Sequence, residues 1–429
     1  MRPGNFAPGI NESTTYAMSA DDIELHFSID SFTSKQREEF ESLKDLMGFL
    51  QVALIGIGKA SDHLMLYEAF SHPPWPKRLK RLAGFFENMG IETIPAEHWH
   101  YHPKDGFYES VAKEIPDTET LTLYLTSGSN EVIHKDPARL RVSQNMNSKV
   151  FFARHAPEFG IPVPETLVTT KNQLGGSDVA NFLNRHGNQV MLKIHGLSGA
   201  RNVTIVNSQQ DCLEYVAEFP GDLDVILQQQ LDLEKFTEMT VDLRITPDDI
   251  SITNVRKILF SEGIWVGNLL GPDVVLSSAH KDVLIRVGEY ARSHGFVLPE
   301  GINCGIDYFV DGDDVVVIEI NARWTGGLFP TEIIKMAGAQ DEIGVAFVDL
   351  VKVEMFDVYL DFIDKHLYSR SLENFAVIPI GASAIPQIVD GQEFFFCWQT
   401  ITGDFEAFKI ARRERLGDGV LMRAETITI

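Results

Sequence analysis

The sequence predicts a mixed α/β and α+β fold with a β-rich C-terminal region. Three observations support this prediction. Helical and strand patterns alternate through the first third of the chain, which is typical of a small parallel-sheet domain. Hairpin-like strands dominate residues 190–320, which indicates antiparallel sheets. The last sixty residues contain short apolar runs separated by glycine turns, which predict further strands.

The amino-acid composition argues against some classes of function. The chain has 429 residues and is 44% apolar, enough for two or three domains with real cores. Its 37 basic and 61 acidic residues give a formal charge of −24, which opposes binding to nucleic acid or to anionic membranes. An anionic ligand must therefore be held by a local group of cations.

Cysteine usage and the chain start point to a cytoplasmic protein. The three cysteines, Cys212, Cys304 and Cys397, are far apart and form no CxxC pair, so neither a disulfide framework nor a zinc site is indicated. The first residues lack the apolar segment of a signal peptide, and the apolar stretch 375–389 is short and interrupted by prolines. We therefore expect a soluble protein of the cytoplasm that does not bind a membrane.

The N-terminal third is predicted to be an extended arm followed by an α/β domain. Residues 1–32 are polar and contain glycine and proline, which is typical of an arm or a poorly ordered lead-in. The predicted elements are helices at 34–50 and 78–89 and strands at 52–57, 92–95 and 121–126. The GIGK segment after residue 55 lacks the first glycine of a phosphate loop, and Ala60 replaces its Ser or Thr, which favours an ordinary turn.

Three histidines alternate in the segment AEHWHYHP. His98, His100 and His102 would share one face of a strand, so a three-histidine metal site is one interpretation. No carboxylate is spaced to complete such a site locally. The alternatives are a histidine rim around a ligand cleft and an ordinary protein surface, and the sequence favours these two.

The central region places a lysine beside a glycine loop. Residues 139–157 are predicted to be helical and 165–169 extended, and 178–185 form another helix. The strands 190–194 and 203–206 flank the loop HGLSGARN, and Lys193 interrupts the first of them. An ammonium group beside loop N–H groups is a phosphate-binding arrangement, although a hairpin turn beside a solvated lysine has the same pattern.

The remaining elements follow from apolar periodicity. The predicted strands are 225–230, 238–245, 254–260, 375–380, 392–400 and 405–410. The predicted helices are 281–293, 331–337, 343–355 and 359–368.

The segment 301–330 carries the most informative pattern. Two apolar runs flank the turn DGDD and predict a β-hairpin. On its second strand Glu319, Asn321 and Arg323 share one face, while Val316, Ile318 and Ile320 are predicted to point into a core.

Asp307 joins the charged face of this hairpin only if it pairs opposite Glu319. We expect that pairing to need an odd turn of three or five residues, because a one-residue slip exchanges the two faces. Carboxylate and amide oxygens that meet at one point make a hard oxygen site suited to Mg²⁺ with phosphates. The alternative is a half-exposed edge strand that presents polar residues to water.

Taken together, these motifs resemble the ATP-grasp superfamily of ATP-dependent carboxylate–amine ligases. Their order is a lysine before a helix, a lysine on a strand, a glycine loop, a glutamine-rich strand end, acidic residues and Glu-x-Asn-x-Arg. The likeness covers about 139–330, and 52–130 resembles the pre-ATP-grasp domain. It implies an arm at 1–32, a pre-ATP-grasp domain at 33–135, ATP-grasp subdomains at 136–228 and 229–345 that grip ATP, and a C-terminal region at 346–429.

The resemblance also implies roles for individual residues. It assigns ATP phosphates to Lys149, Lys193 and the loop 195–202, which includes Gly196, Ser198 and Gly199. Adenine is assigned to Gln229, Gln230 and Leu231, and ribose to Glu238, with Glu234 as the alternative. The metal ligands are Asp307, Glu319 and Asn321, for Mg²⁺ with Mn²⁺ as the alternative metal. Arg323, Arg256 and Lys193 are the implied catalytic cations, with Arg323 on the acyl phosphate or substrate carboxylate.

The implied reaction activates a carboxylate as an acyl phosphate and joins it to an amine. A finer likeness to pheganomycin-type peptide ligases would make the acid a peptide or an amino acid, joined to an amine. Two alternatives are a kinase-like enzyme that phosphorylates a small acceptor and a nucleotide-binding regulatory protein. A homodimer is a further open possibility.

Overall fold

The computed structural model describes residues 13–20, 25–26, 33–114, 120–122, 125–134, 136–194, 203–261 and 264–422. The helices are α1 Ser34–Leu46, α2 Gly48–Ile57, α3 Trp75–Asn88, α4 Phe107–Glu114, α5 Glu131–His134, α6 Pro137–Met146, α7 Lys149–His155, α8 Ser177–Arg185, α9 Gln209–Val216, α10 Ser278–Ser293, α11 Leu328–Met336, α12 Phe356–Lys365 and α13 Phe405–Leu416.

The strands lie in three sheets. They are β1 Thr14–Ala17, β2 His63–Tyr67, β3 Trp99–His102, β4 Thr120–Thr122, β5 Thr166–Thr170, β6 Val190–Ile194, β7 Val203–Val206, β8 Asp224–Gln229, β9 Thr237–Ile245, β10 Ile250–Ser261, β11 Ile264–Leu270, β12 Ile302–Asp311, β13 Asp314–Asn321, β14 Gly344–Lys352, β15 Phe375–Ala382, β16 Gln387–Val389, β17 Gln392–Gly403 and β18 Val420–Met422. Parallel, antiparallel and β-rich parts all occur, so the predicted fold class is confirmed.

The first sheet is parallel, with the strand order β3-β2-β1-β4. Its inner strand β1 comes from the segment predicted to be an arm. Thr15 and Tyr16 pair with both β2 and β4, and the strand is buried along its length. That part of the arm prediction is therefore wrong, because residues 14–17 belong to the α/β domain.

The apolar run predicted to be a strand at 52–57 is the buried helix α2. Every residue of α2 from Leu50 to Gly56 is buried. A run that is apolar on all sides has no periodicity, so a buried strand and a buried helix cannot be distinguished from it. The prediction of one helix over 34–50 is also corrected, since α1 ends at Leu46 and α2 begins two residues later.

The second sheet forms a separate small layer with the order β5-β8-β6-β7. All three of its pairings are antiparallel. Its inner face packs on α8 and α9 in a core of its own, which includes Phe182, Leu192, Cys212 and Leu227. This layer therefore has the internal packing of a distinct subdomain.

The third sheet joins the central region to the C-terminal region. Its order is β13-β12-β9-β10-β11-β14-β17-β15, with β16 paired to β17 and β18 paired to β14. The helix predicted at 343–355 is the strand β14, and the strand predicted at 405–410 is the helix α13. Asp404 accepts a hydrogen bond from the Ala407 N–H at 2.9 Å and caps the start of α13.

The C-terminal region also packs against the parallel-sheet domain in one continuous core. Arg78 of α3 donates two hydrogen bonds of 3.0 Å to the Asp357 carboxylate at the start of α12. Beside this pair, the Trp75 ring lies 5.2 Å from Phe356 and 5.0 Å from Phe395. Among the helices of the described residues, none is long and apolar enough to cross a membrane.

The contact between α2 and β15 provides a test of this packing. A Cβ atom added at Gly381 would lie 2.0 Å from the Phe49 carbonyl oxygen, which is backbone and cannot rotate away. We expect Gly381→Ala to lower the free energy of unfolding by about 1–3 kcal/mol. The measurement is urea unfolding followed by circular dichroism.

The matched control for this test is Gly84→Ala in α3, where a new Cβ meets nothing within 4 Å. Replacing a helical glycine with open space around it should leave stability unchanged or raise it by up to ~1 kcal/mol. Equal stability of the two variants would contradict the close approach of α2 to β15.

Candidate functional site

The hairpin β12–β13 pairs Asp307 opposite Glu319, as predicted. The expected odd turn is wrong, because Asp311 pairs with Asp314 and leaves a turn of two residues. The register instead shifts between Asp307 and Tyr308, where Tyr308 pairs with Val317 and Ile318 is the extra residue. A β-bulge, rather than an odd turn, therefore places Asp307 and Glu319 on the same face of the hairpin.

The bulge also exchanges the two faces of β13. Val315, Val317 and Ile320 are buried in the core against α10, whereas Val316 and Ile318 are only partly buried. The prediction that Val316 and Ile318 point into the core is therefore wrong, and Ile318 lines a cleft instead. An inserted residue reverses the in-and-out alternation of side chains on one side of the bulge. The sequence pattern alone does not show at which residue the bulge occurs.

Polar residues of four neighbouring strands share one face of the third sheet. Cross-strand partners in antiparallel strands lie on the same face, so the register defines two polar rows. One row is Arg256, Thr240, Asp307 and Glu319, and the next is Asn254, Asp242 and Asn321, with Gly305 on β12 between the last two. Two residues before Thr240 on β9, Glu238 lies on this face as well.

Lys149 reaches this face from the start of α7. The predicted helix 139–157 is broken at Asn147 and Ser148, and Ser148 caps α7 by accepting a hydrogen bond from the Phe151 N–H at 3.0 Å. This break makes Lys149 the first residue of a helix aimed at the sheet. Its ammonium group forms an ion pair with the Glu319 carboxylate.

Lys193 approaches the same cleft from the second sheet. Its ammonium group donates a 2.6 Å hydrogen bond to Gln228 Oε1, and Gln228 in turn donates to Thr166 Oγ1 at 3.0 Å. The sequence had pointed to Gln229 and Gln230 rather than to Gln228. The cleft is lined by Lys149, Phe152, Ala153, Val163, Thr166, Lys193, Ile226, Gln228 and Ile318.

The acidic residues on this face have strongly shifted pKa values. Burial raises the pKa of Glu238 to about 8 and that of Asp307 to about 7, and neighbouring carboxylates add to both rises. Burial also acts to raise the pKa of Glu319, but the charges of Lys149 and Lys193 outweigh it and hold the value at about 2. Glu319 is therefore ionised near neutral pH, whereas burial and mutual repulsion keep Glu238 largely, and Asp307 partly, in the protonated form.

These residues fit a divalent cation. Asp307 and Glu319 lie opposite each other, and Asn321 donates a hydrogen bond of 2.8 Å to Asp307 Oδ2. Within the described ranges no group of three or more His, Cys, Asp or Glu side chains is arranged to hold a metal by itself. Two carboxylates and an amide match the sparse protein ligation of Mg²⁺, which keeps positions for water and phosphate oxygens.

Arg323 lies just beyond β13 and is nearly buried. Its Nη1 donates a 2.8 Å hydrogen bond to Asn147 Oδ1, and the Ala322 N–H donates to the same oxygen at 3.0 Å. His26 lies beside this group, since it hydrogen-bonds to the Asn147 backbone. Burial and the charge of Lys149 lower the pKa of His26 to about 4, so its imidazole is neutral at physiological pH.

Neither His26 nor Gln228 was predicted from the sequence. Gln228 follows Ile226, the partner of Lys193, by two residues, so a correct strand register would have placed it on the lysine's face. For His26 no sequence signal exists, because its position depends on the fold. Leu25 next to it is buried, and its carbonyl accepts a hydrogen bond from Gln144 Nε2 at 3.0 Å.

The residues assigned to adenine and ribose differ in their positions relative to the cleft. The Gln229 N–H donates to the Glu165 carbonyl at 2.8 Å, and Gln230 and Leu231 follow at the end of β8. Glu234 is exposed, whereas Glu238 lies among the cleft charges. The glycine loop with Gly196, Ser198 and Gly199 lies outside the described residues.

Arg256 is not at the surface of the cleft. Its side chain is fully buried and forms an ion pair with Asp242 at 2.6 Å. The resemblance implies a catalytic cation at this position, and in the structure a buried carboxylate on the neighbouring strand pairs with the guanidinium.

The three-histidine segment forms no metal site in the described part of the chain. His100 hydrogen-bonds to His63 at 3.1 Å and to Glu114 at 2.5 Å, while His98 hydrogen-bonds to the Asp62 carbonyl at 3.1 Å. His102 is buried, and its ring contacts Ser110 at 2.9 Å. Glu114 also lies 3.3 Å from His102, and the His63 ring stacks on His98 at 4.4 Å, so these side chains form a connected polar network around the edge strand β3.

The fold has counterparts among solved structures. N5-carboxyaminoimidazole synthetase from Staphylococcus aureus, complexed with ADP, is 10% identical with a TM-score of 0.55, over 96% of this chain and 99% of that one. Carboxyaminoimidazole ribonucleotide synthase from Aspergillus clavatus, complexed with ATP, is 12% identical with a TM-score of 0.55, over 87% and 96%. Phosphoribosylamine–glycine ligase from Thermotoga maritima is 14% identical with a TM-score of 0.52, over 95% and 97%.

The chain has the ATP-grasp fold. The sequence resemblance is thereby confirmed for the fold, while the finer likeness to pheganomycin-type ligases stays a prediction. No family model and no curated protein matches the sequence. At such low identities the ATP-grasp neighbours show the fold alone.

Lys193 provides a pH test of the cleft. Burial lowers its pKa to about 8, so the ammonium charge is present below pH 8 and is lost as the pH rises above it. If Lys193 binds phosphate oxygens, the affinity for a non-hydrolysable ATP analogue should fall on the order of tenfold between pH 7.5 and 9.5. Isothermal titration calorimetry at fixed Mg²⁺ measures this change.

The control for the pH test is Lys193→Arg. A guanidinium stays charged throughout this range, so the variant should bind with a flatter pH profile. The same loss of affinity in wild type and Lys193→Arg would assign the pH effect to another group and contradict the role of Lys193.

Proposed function

We propose that this protein is an ATP-dependent ligase that activates a carboxylate and joins it to an amine. The observation that carries this proposal is the pairing of Asp307 and Glu319 on one sheet face, with Lys149 and Lys193 beside them in one cleft. The ATP-grasp fold supports it, as do neighbours whose structures contain ADP or ATP and one neighbour that is a ligase.

The nucleotide would lie in the cleft between the second and third sheets. Its apolar lining, including Phe152, Ile226 and Ile318, suits a purine, and Lys149 and Lys193 would contact the phosphates. The chain segment Gln229 to Leu231 would hold adenine by its backbone. Glu238 is favoured over Glu234 for the ribose hydroxyls, because Glu238 lies among the cleft charges and Glu234 is exposed.

Asp307, Glu319 and Asn321 would hold Mg²⁺, with Mn²⁺ as an alternative. The bound ion would supply positive charge to the phosphate oxygens and to the crowded carboxylates. Lys149 holds the Glu319 carboxylate in its ionised form, which is the form a metal requires. The protein thus contributes mainly positioning and cations, as phosphoryl transfer demands.

Arg323 would bind the substrate carboxylate and then the acyl phosphate. Asn147 orients the guanidinium through its 2.8 Å hydrogen bond, and His26 adds a neutral polar side chain to the same place. The amine nitrogen would attack the acyl carbon, phosphate would leave with the bonding electrons, and the amine would lose a proton. The Arg323 guanidinium would thus stabilise the negative charge that develops on the acyl phosphate and on the departing phosphate.

The products and partners follow from this reaction. The enzyme would release ADP and phosphate and form an amide or peptide bond between small molecules or peptides. A cytoplasmic location and a homodimer stay predictions.

The decisive experiment is ADP release against a panel of carboxylates and amines. We expect release that requires Mg²⁺, one carboxylate and one amine together, with amide formation detected by mass spectrometry. Release without any amine, together with a stable phosphorylated acceptor, would favour a kinase-like reaction and exclude the ligase.

Glu319→Gln tests the proposed metal ligand. The substitution removes the negative charge that pairs with Lys149, so we expect turnover to fall by about a hundredfold or more. Steady-state ADP release at saturating ATP and Mg²⁺ measures it. Asp314→Asn, on the exposed end of the same strand, is the matched control and should retain wild-type turnover. Undiminished turnover in Glu319→Gln would refute the metal assignment.

A further inference from the structure

The ion pair of Arg256 and Asp242 lies under the segment that follows the proposed metal strand. The two residues are on neighbouring strands, both are 0% exposed, and their closest charged atoms are 2.6 Å apart. Burying an ion pair is costly, and a well-packed apolar pair is often as stable. The pair therefore calls for an explanation other than stability.

Asp242 connects to both ends of the segment from Arg323 to Thr325. Asn303 Nδ2 donates to Asp242 Oδ1 at 2.7 Å and to the Arg323 carbonyl at 2.8 Å. Thr325 Oγ1 lies 3.3 Å from each Asp242 carboxylate oxygen and donates to that carboxylate. One buried carboxylate thus holds the side chain of Thr325 directly and the backbone of Arg323 through Asn303.

Arg256 fixes the same segment from its other side. Its Nη2 donates a 3.0 Å hydrogen bond to Thr325 Oγ1. Gly327 packs directly on the guanidinium, since a Cβ atom added there would lie 2.5 Å from Arg256 Nε and 2.8 Å from Asn268 Oδ1. Only a residue without a side chain can approach the guanidinium so closely.

The rest of the segment is held as tightly. Thr331 Oγ1 donates to the Gly327 carbonyl at 2.8 Å, which ties Gly327 to the first turn of α11. A Cβ atom added at Gly305 would lie 2.1 Å from Thr325 Cγ2, so the threonine methyl fills the space above that glycine. Thr325 is therefore confined by its hydroxyl contacts and by its methyl contact.

We propose that Arg256 and Asp242 are a positioning pair that fixes residues 323–327, so that Arg323 faces the acid substrate at the correct distance. This inference rests on the proposed ligase function, and it gives Arg256 a positioning role in place of the catalytic role that the resemblance implies. A displacement of about 1 Å at a reacting group can cost on the order of a hundredfold in rate. Arg256 and Asp242 would thus affect the reaction by setting the position of residues 323–327.

Thr325→Val provides the sharpest test, because it removes the hydroxyl that links the pair to the segment and leaves both buried charges matched. We expect kcat for ADP release to fall about tenfold or more, the KM for the acid to rise, and the KM for ATP to stay unchanged. Thr325→Ser keeps the hydroxyl and should restore most of the activity.

The control variant is Thr253→Val. Thr253 Oγ1 donates to the backbone carbonyl of Asp242 at 3.0 Å, so this variant also loses a hydrogen bond to Asp242 but leaves the carboxylate contacts intact. Wild-type kinetics are expected. Equal losses in Thr253→Val and Thr325→Val would indicate a general weakening of the sheet and overturn the proposal.

Hydrogen–deuterium exchange separates this inference from the proposed function. In Thr325→Val the peptide covering 321–331 should exchange faster, while a peptide from β9 should be unchanged. Unchanged exchange at 321–331, or faster exchange with wild-type kinetics, overturns the positioning role. A wild-type protein that never needs a carboxylate and an amine refutes the ligase reaction, whereas the exchange result alone decides whether the pair fixes the segment.

Discussion

Crowded carboxylates on one sheet face are the constraint on which the rest of the site depends. Asp307, Glu319 and Glu238 lie together in a partly buried place, and burial opposes ionisation of all three. Only Glu319, which pairs with Lys149, keeps a low pKa. A protein whose net charge is −24 thus brings lysines to this one place. A bound cation would favour ionisation of the two carboxyl groups whose pKa values are raised, Asp307 and Glu238.

The two lysines come from parts of the chain that pack independently. Lys193 belongs to the small second sheet with its own core, whereas Lys149 starts the helix α7, which packs through Phe152 on the core beneath the third sheet. The parallel-sheet domain and the C-terminal region share another core, tied by Arg78 and Asp357. The cleft therefore lies between a small sheet with its own core and a larger body, a common geometry for domain closure around a ligand.

Sequence reasoning succeeded where polar residues stood at informative positions in apolar strands. The pairing of Asp307 with Glu319 was predicted from the two-residue spacing of polar residues on the hairpin, and the lysine strand β6 from a single lysine within an apolar run. It failed for α2 and β14, because a run buried on all sides has no periodicity to distinguish helix from strand. It also missed the Arg256–Asp242 pair and His26, since these contacts join residues distant in the chain and depend on strand order.

The bulge at Ile318 makes the turn of the hairpin independent of the site. On the turn side of the bulge the register is set by the two-residue turn, and on the site side it is offset by one residue. The turn could therefore be replaced by another even-length turn without moving either carboxylate. The same extra residue supplies an apolar side chain to the cleft beside Glu319, so one insertion serves both the metal face and the nucleotide cleft. Loss of that residue, rather than variation in the turn, is the change by which a related chain would lose this arrangement.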